Sequence, residues 1–486
     1  MPVRPKLELL DREFIGRIVD EAFQLLAETG IRVETPAVVE MLRGAGAKVE
    51  NGTARIPRPV AEGLLASAPK EFFLYDRTGR PAVHYGGDDV HFDPGSSCLN
   101  VLDPETQRPR PAEAADLARL VQVTEMLPQY AAQSTAVVCS DVARDIGDLY
   151  RLLVVLWYSD KPVVTGAFSA AGVQPMLDLL AADSGGRETL RKKPRAVFDV
   201  CPTPPLNWSE FGAQNLVELA RAGVPAEIVS MPLAGLAAPV TLAGAVVQHA
   251  AECISGICIH QLACAGAPVV WGGAPAIVDM RTATTPMGAV ETAMIDMACA
   301  QIGKHFGLPT HAYLVASDSK VVDAQAGMES AMTATLGALA GINMISGAGM
   351  LDFLACHSAE KLVVDAEAIG SVQRLLRGIE ARTETLALAM FAAAGPKGEF
   401  LKLPETRRLF RSEQYLPSEV IDRNPPGAEE EGRPRDTFCR ARQRVAQLLA
   451  NYQRSDAARE RETQLRAAFE VHGRKAGMTR LAGIES

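Results

Sequence analysis

From about residue 90 the chain repeats one rhythm: a short apolar run, a turn rich in Gly, Pro or Ser, then a longer amphipathic or Ala-rich stretch. The short runs are DVHFD, YAAQSTAVV, KPVVTGAF, RAVFDVCP, PAEIVSMP, APVVWGG, LPTHAYLV and INMIS, eight in all. Helix-like stretches lie between most of them, among them AADLARLVQVTEML, VARDIGDLYRLLVVLWYS, VQPMLDLLAAD, NLVELARAG, TLAGAVVQHAAECISGICIHQLACAG and AVETAMIDMACAQIGKHFG. Strands that alternate with helices pair in parallel, and eight such units predict an α/β protein built on a closed (β/α)8 (TIM) barrel rather than an open sheet.

The rest of the chain falls outside that rhythm. Residues 1–89 read as a small mixed α+β region, with helix-like PAVVEMLRGAG and PRPVAEGLLASAP and strand-like EFFLYDR. The barrel is expected over 90–394, and 395–486 as a helical extension that contains the charged stretch RARQRVAQLLANYQRSDAARERETQLRAAFEVHG. A charged helix of that length predicts packing on the barrel or on a neighbouring subunit, hence a homo-oligomer.

Charge and cysteine usage exclude whole classes of function. A formal net charge of −9 gives neither nucleic acid nor an anionic membrane a surface to hold. The nine cysteines are scattered singly, without the spacing of a zinc site, and read as small buried hydrophobes in a reducing, cytoplasmic setting. No metal or nucleotide signature occurs, and neither does a G-x-S-x-G or H-E-x-x-H motif.

In such a barrel the site is built from the loops after the strand ends. Those loops are FDPGSS, TGAFS, CPTPPLNWSE, MPLAGLAAP, WGGAP, ASDSK and SGAGMLDFLACH, mostly short and small. Asp318, Lys320, Asp323 and Gln325 crowd the start of the helix after the seventh run, whose stripe Ala324, Met328, Ala331, Met332, Thr335 and Leu339 is expected to face the barrel. They could face a ligand; equally, Asp323 or Ser319 could cap that helix while Asp318 pairs with Lys320. His249 and His260, inside a long apolar helix, read as core histidines. His357 could be a site residue or a helix cap, and Asp93 a substrate contact or a turn former.

The segment Met231 to Gly273, with SDSKVVDAQAGMESAM and LAGINMISGAGML, closely resembles the trimethylamine methyltransferase family, and the similarity runs to about residue 390. The resemblance implies a (β/α)8 barrel that passes a methyl group from a tertiary or quaternary amine to the cobalt of a corrinoid protein. Archaeal trimethylamine enzymes of the family carry pyrrolysine, whereas this chain holds only the twenty standard residues. It therefore resembles the non-pyrrolysine branch, whose substrates are glycine betaine and related quaternary ammonium compounds.

On that reading there is no intrinsic cofactor, the methylcobamide rides on a separate corrinoid protein, and catalysis is positioning rather than acid–base work. Asp93 is assigned to the ammonium and His357 to a betaine carboxylate, with Lys320, Gln325 and Asp318 nearby. The aromatics near strand ends, Phe92, Phe168, Trp208, Trp271, Tyr313 and Phe353, are the candidates for cation–π contact, two or three of them touching substrate. The alternatives are a corrinoid-independent barrel enzyme or lyase acting on quaternary amines, and a non-catalytic quaternary-amine binding protein.

Overall fold

The computed structural model describes residues 4–168, 172–426 and 436–476, with 481, 483 and 484. Ser169, the last residue of the TGAFS loop, and most of the loop after Asn424 lie outside the described residues. Each of the eight apolar runs holds a strand: β1 (His91–Pro94), β2 (Gln133–Ser134), β3 (Val163–Gly166), β4 (Ala196–Val200), β5 (Ala226–Ser230), β6 (Val269–Gly273), β7 (His311–Tyr313) and β8 (Met344–Ala348). Each is followed by a helix: α1 (Ala114–Glu125), α2 (Gly147–Tyr158), α3 (Gln174–Ser184), α4 (Glu210–Ala222), α5 (Leu242–Ala263), α6 (Val290–His305), α7 (Ala324–Leu339) and α8 (Ala359–Leu376). The helices start where short polar side chains can satisfy their free N–H groups. Ser209, Thr241, Asp323 and Ser358 each accept from a backbone N–H in the first turn of α4, α5, α7 and α8.

All eight strands run parallel, in an arc of five in the order β2-β3-β4-β5-β6 and an arc of three, β7-β8-β1. The arcs touch at both edges. Between β6 and β7 the Trp271 N–H donates to the Pro309 carbonyl at 2.9 Å, and between β1 and β2 the Ala131 N–H donates to Phe92 at 2.9 Å. The continuous ladders stop at these two seams.

Side chains alternate along the strands, as the pleat requires. Phe92, Phe198, Ile228, Trp271, Ala312 and Ile345 pack outward into the helix layer. Their strand neighbours point the other way, and the first inward layer is apolar: Val164, Val197, Val270 and Met344. A hairpin of Phe72–Tyr75 and Pro81–Tyr85 stops that end with Leu74, Val83 and Tyr85. The next layer up is polar and forms the candidate site.

The N-terminal helices Arg12–Glu28, Pro36–Gly44 and Arg58–Ser67 pack on α5. This cover explains why α5 is apolar all round: it is long and apolar enough to cross a membrane, yet 83% of its most apolar window is buried inside the protein. After α8 come α9 (Leu388–Ala394), α10 (Pro404–Glu413), α11 (Thr437–Asn451) and α12 (Glu462–Gly473). The charged stretch takes the first of its two expected placements and packs on the barrel, α11 onto α8 and α1, α12 onto α3 and α2. Its length therefore carries no argument about oligomers.

The expected stripe on α7 is corrected as well. Ala324, Met328 and Ala331 are exposed, and the buried face is Ala326, Ser330, Thr333, Ala334, Gly337 and Ala338. Two needs turn the helix this way. A Cβ on Gly337 would lie 2.6 Å from Leu314, so the helix packs too close for larger side chains. Val315, at the end of β7, has φ 63, a strained value for a β-branched residue. Its N–H donates to Thr333 Oγ1 at 2.9 Å, and its carbonyl accepts from Ser330 Oγ at 2.9 Å and Lys361 Nζ at 3.3 Å.

Lys361 is fully buried and ties this corner together: it donates to Asp365 Oδ2 at 2.7 Å, and that carboxylate accepts from the Gly349 N–H at 2.7 Å. Replacing Lys361 with Met strands Asp365 as a buried, unpaired charge and is expected to cost about 3–5 kcal/mol in urea unfolding. The Lys361→Met/Asp365→Leu pair should cost clearly less. A single variant within about 0.5 kcal/mol of the parent would show that the pair does not brace the fold.

Candidate active site

Three carboxyl groups converge inside the strands: Asp93 on β1, Asp199 on β4 and Glu227 on β5, with 0%, 7% and 0% of their surface exposed. Ser346 on β8 donates to Asp93 Oδ1 at 2.6 Å, and His311 Nε2 lies 3.0 Å from the same Ser346 oxygen. Having given its one proton to Asp93, Ser346 must accept from His311, which places the imidazole proton on Nε2. His311 Nδ1 lies 2.8 Å from Glu227 Oε1, a close approach without hydrogen-bond geometry.

The chain of contacts thus runs Glu227, His311, Ser346, Asp93. Tyr85 from the hairpin donates to Glu227 Oε2 at 3.4 Å, Tyr313 donates to Asp199 Oδ2 at 3.4 Å, and the Asp199 and Glu227 carboxyls lie within hydrogen-bond reach of each other. Gly272 on β6 makes room for it, because a Cβ there would stand 2.9 Å from Glu227 Cγ and 3.1 Å from His311 Nδ1.

Electrostatics follow from burial. Loss of water pushes Glu227 up to about 8 and raises Asp93 and Asp199 well above the carboxylate range, the last two also through repulsion from their acidic neighbours. Burial pushes His311 down to about 4, so it is neutral. Among the described residues no Lys or Arg bonds to any of the three acids, and Asp93 Oδ2 has no hydrogen-bond partner. The cluster therefore holds protons that carboxyls in water would shed. No group of three His, Cys, Asp or Glu among the described residues has the geometry to hold a metal ion.

The residues named from sequence fall in five places. Asp93 and Tyr313 belong to the cluster. Phe168 stands just past β3, 53% exposed, with its backbone N–H bonded to Asp148 and the Arg151 guanidinium 6.0 Å from its ring. Phe92, Trp208 and Trp271 face outward: Trp208 donates to Ser255 Oγ and Trp271 to the Cys299 carbonyl, each resting on a helix glycine, Gly256 and Gly303.

The polar group near the start of α7 mostly satisfies itself. Asp318 accepts from the Met287 and Gly288 N–H groups at 2.8 and 3.1 Å, and Gln325 donates to Glu329 at 2.8 Å. Asp323 caps α7, as one of the two sequence readings had it. Lys320 pairs with Asp352 at 2.5 Å rather than with the Asp318 carboxylate, donates to the Asp318 carbonyl, and lies 3.8 Å over the Phe353 ring. These contacts hold a turn in which Asp352, Phe353 and Leu354 all have positive φ.

His357 is part of a small sheet formed by the segments that follow β1 and β8, where it pairs with Val101 and Met350; it is fully buried, pushed down to about 3 by burial and by nearby Lys361. A cavity of about 20 Å³ beside it is lined by Arg110, Arg119 and Glu360. No hydrogen bond or ion pair links it to Asp93 among the described residues.

Sequence reasoning missed Asp199, Glu227, His311, Ser346 and Tyr85. The signal was present: an acid fourth in AVFDV and second in AEIVS, and an imidazole opening HAY, each inside an apolar strand that gives it nothing to pair with.

An eightfold β/α alternation with a buried acidic layer above an apolar one is the frame of an α/β protein. This chain belongs to the trimethylamine methyltransferase family: residues 2–479 match the family described as Trimethylamine methyltransferase (MTTB). It is accordingly a methyltransferase. The glycine betaine methyltransferase of Desulfitobacterium hafniense (strain Y51) is 30% identical over 478 residues, 97% of this chain and 98% of that one. The trimethylamine methyltransferase of Methanosarcina barkeri is 32% identical over 460 residues, 92% of each chain. Among solved structures, the Methanosarcina barkeri monomethylamine methyltransferase superposes with a TM-score of 0.55 over 91% of this chain and 89% of that chain, at 12% identity, a likeness of fold alone.

The acids also set how stability varies with pH. Glu227 keeps its proton to about 8 when folded against an ordinary 4.5, so between those values the folded chain binds a proton that the unfolded chain has lost. Stability on this account is full below about 4.5 and falls as pH rises towards 8. Glu227→Gln is expected to flatten that fall and to raise Tm at pH 8.5 more than at pH 5. Equal Tm shifts at both pH values would contradict the assignment.

Proposed function

We propose that this methyltransferase takes a methyl group from a betaine-like quaternary ammonium compound and gives it to the Co(I) of a separate corrinoid protein, its second substrate. The observation that carries the reading is the buried trio Asp93, Asp199 and Glu227 with no basic side chain bonded to it among the described residues. A dry acidic cluster with an unpartnered oxygen offers a fixed organic cation a counter-charge that nothing in the chain already fills. The glycine betaine methyltransferase relative, alike over nearly its whole length, supports this choice of substrate.

The contacts between the two arcs of strands support a closed (β/α)8 barrel, with Asp93, Tyr313 and Phe168 towards its open end. In the reaction the methyl carbon–nitrogen bond breaks, its electron pair stays on nitrogen as a neutral tertiary amine, and cobalt supplies the pair for the new carbon–cobalt bond. No proton moves at the methyl group. The chain's own work is to hold the ammonium against Asp93, keep water out and leave one methyl free to meet the acceptor. Binding is accompanied by ionisation of one acid of the cluster, whose proton is taken up by the solvent buffer.

Asp93→Asn tests this. Affinities for glycine betaine and for choline, by calorimetry at fixed pH and salt, should both fall about ten- to a hundredfold, the equivalent of about 1.5–3 kcal/mol. Methyl transfer to added corrinoid protein, followed by the cobalt absorbance, should fall with them. Parent protein that binds betaine but never methylates the acceptor would favour a binding protein. Unchanged affinity in the variant would remove Asp93 from the site.

A further inference from the structure

Helix α2 reads GDLYRLLVVLWY, and within that apolar run Arg151 is only 1% exposed. A guanidinium in such a place is costly unless it is bonded. Arg151 Nη1 donates to Ser97 Oγ at 2.9 Å and to the Thr135 carbonyl at 3.1 Å, and Nη2 donates to Asp148 Oδ1 at 2.6 Å. The other Asp148 oxygen, Oδ2, accepts from the Phe168 N–H at 2.6 Å. One ion pair on α2 thus reaches the ends of β1, β2 and β3.

The strands hold together without it. β2 and β3 pair directly, Val163 with Gln133 and Val164 with Ser134, and just beyond the ladder the Thr135 and Thr165 hydroxyls lie 3.1 Å apart. The loop after β1 is joined to β2 by the Ser97 N–H, which donates to the Thr135 carbonyl at 3.2 Å. What the ion pair adds is a hold on Phe168.

The Phe168 ring folds back over its own strand. A Cβ on Gly166 would lie 2.7 Å from Phe168 Cζ and 2.9 Å from Cε2, so the ring fills the space that a side chain at 166 would take. Gly166 is in register with Asp199 on β4, and partners in a parallel pair point to the same side. The ring therefore lies on the inward face, beside the strand that carries Asp199, the carboxyl to which Tyr313 donates. A half-exposed ring next to carboxyl groups is a wall for an organic cation. Its face attracts a charge spread over N-methyl groups, whereas an ammonium that still carries N–H is served better by hydrogen bonds to the carboxyls.

We propose that Asp148 and Arg151 are positioning residues: through the Phe168 N–H they fix that ring as one wall of the cation site, and so set a preference for a quaternary ammonium over the same molecule with one N-methyl replaced by hydrogen. The inference rests on the cation site of the proposed function and is independent of the methyl acceptor. Neither Asp148 nor Arg151 touches the ligand. Without the pair the ring turns away, and the site keeps its acids but loses its selectivity.

The test is calorimetry on the full chain at pH 7 with glycine betaine and with dimethylglycine. The two share a carboxylate and differ by one N-methyl, and the ratio of their affinities is the readout. The parent is expected to favour betaine. Phe168→Leu should weaken betaine about five- to thirtyfold and dimethylglycine little, removing the preference, while Phe168→Tyr keeps it. Asp148→Leu/Arg151→Met, which removes both charges together, should lose the preference as far as Phe168→Leu does. Adding Phe168→Leu to that pair should change nothing further, because residues that act through one another are not additive. Asp148→Asn, uncharged and of the same shape, is expected to lose the preference as well, and decides the matter if the pair variant does not fold. A folded variant at these two positions that keeps the parent's ratio, losses that add, or a parent without a preference would overturn the inference. A parent that binds neither compound would overturn it together with the cation site. The expected ratios without methyl transfer to a corrinoid protein would support this inference and count against the transfer alone.

Discussion

Three carboxyl groups enclosed by parallel strands, with a neutral imidazole beside them and no guanidinium or ammonium bonded to any among the described residues, set the terms for the whole molecule. Buried charge without a partner is costly, so the acids retain protons that carboxyls in water would shed. That state works against stability near neutral pH, and the scaffold offsets it with a large apolar core in the helix layer and a plug of Leu74, Val83 and Tyr85 beneath the acids. On the proposed function the same enclosure makes the acids useful, since a carboxylate ionised beside a bound cation there is poorly screened. Stability and function meet at the same atoms.

Rigidity around the cluster comes from a second buried network. Lys361, Asp365 and Ser330 hold the strained end of β7 and the turn after β8, the two strands that supply His311, Tyr313 and Ser346. Lys320, paired with Asp352 and laid over Phe353, fixes the left-handed turn above them. The polar residues from Ser317 to Glu329 therefore act mainly as builders of the site's rim. Ser317 and the Asp318 N–H both bond Glu329, which accounts for a charge cluster at the head of an otherwise small and apolar helix.

Much of the architecture was legible because strand and helix write different periods into a sequence: six of the eight strands fall within the runs that suggested them, and β1 and β8 extend one and two residues past theirs. What periodicity left open was which residue of each strand points inward. Asp93 could be recognised because the turn signal PGSS follows it directly, although the residue itself lies within β1. Its neighbour Phe92, and Trp271 between Val270 and Gly272, belong to the outward set by the two-residue alternation of the pleat, a register that only the packed structure reveals. Asp199, Glu227 and His311 were hidden in runs that read as apolar. On α7 the larger residues suggested the buried face, whereas close packing and the unpaired backbone of Val315 demanded Gly, Ala, Ser and Thr.

The central claim is that the acidic cluster is proton-loaded when empty and becomes the counter-ion of an organic cation when filled. Calorimetric titration of the whole protein with glycine betaine at pH 6.5, in two buffers of very different ionisation enthalpy, tests it directly. The account predicts that the observed heat shifts in proportion to the buffer's ionisation enthalpy, with about one proton released per betaine bound. Binding whose heat is the same in both buffers would contradict it, because the acids would then be charged already or take no part.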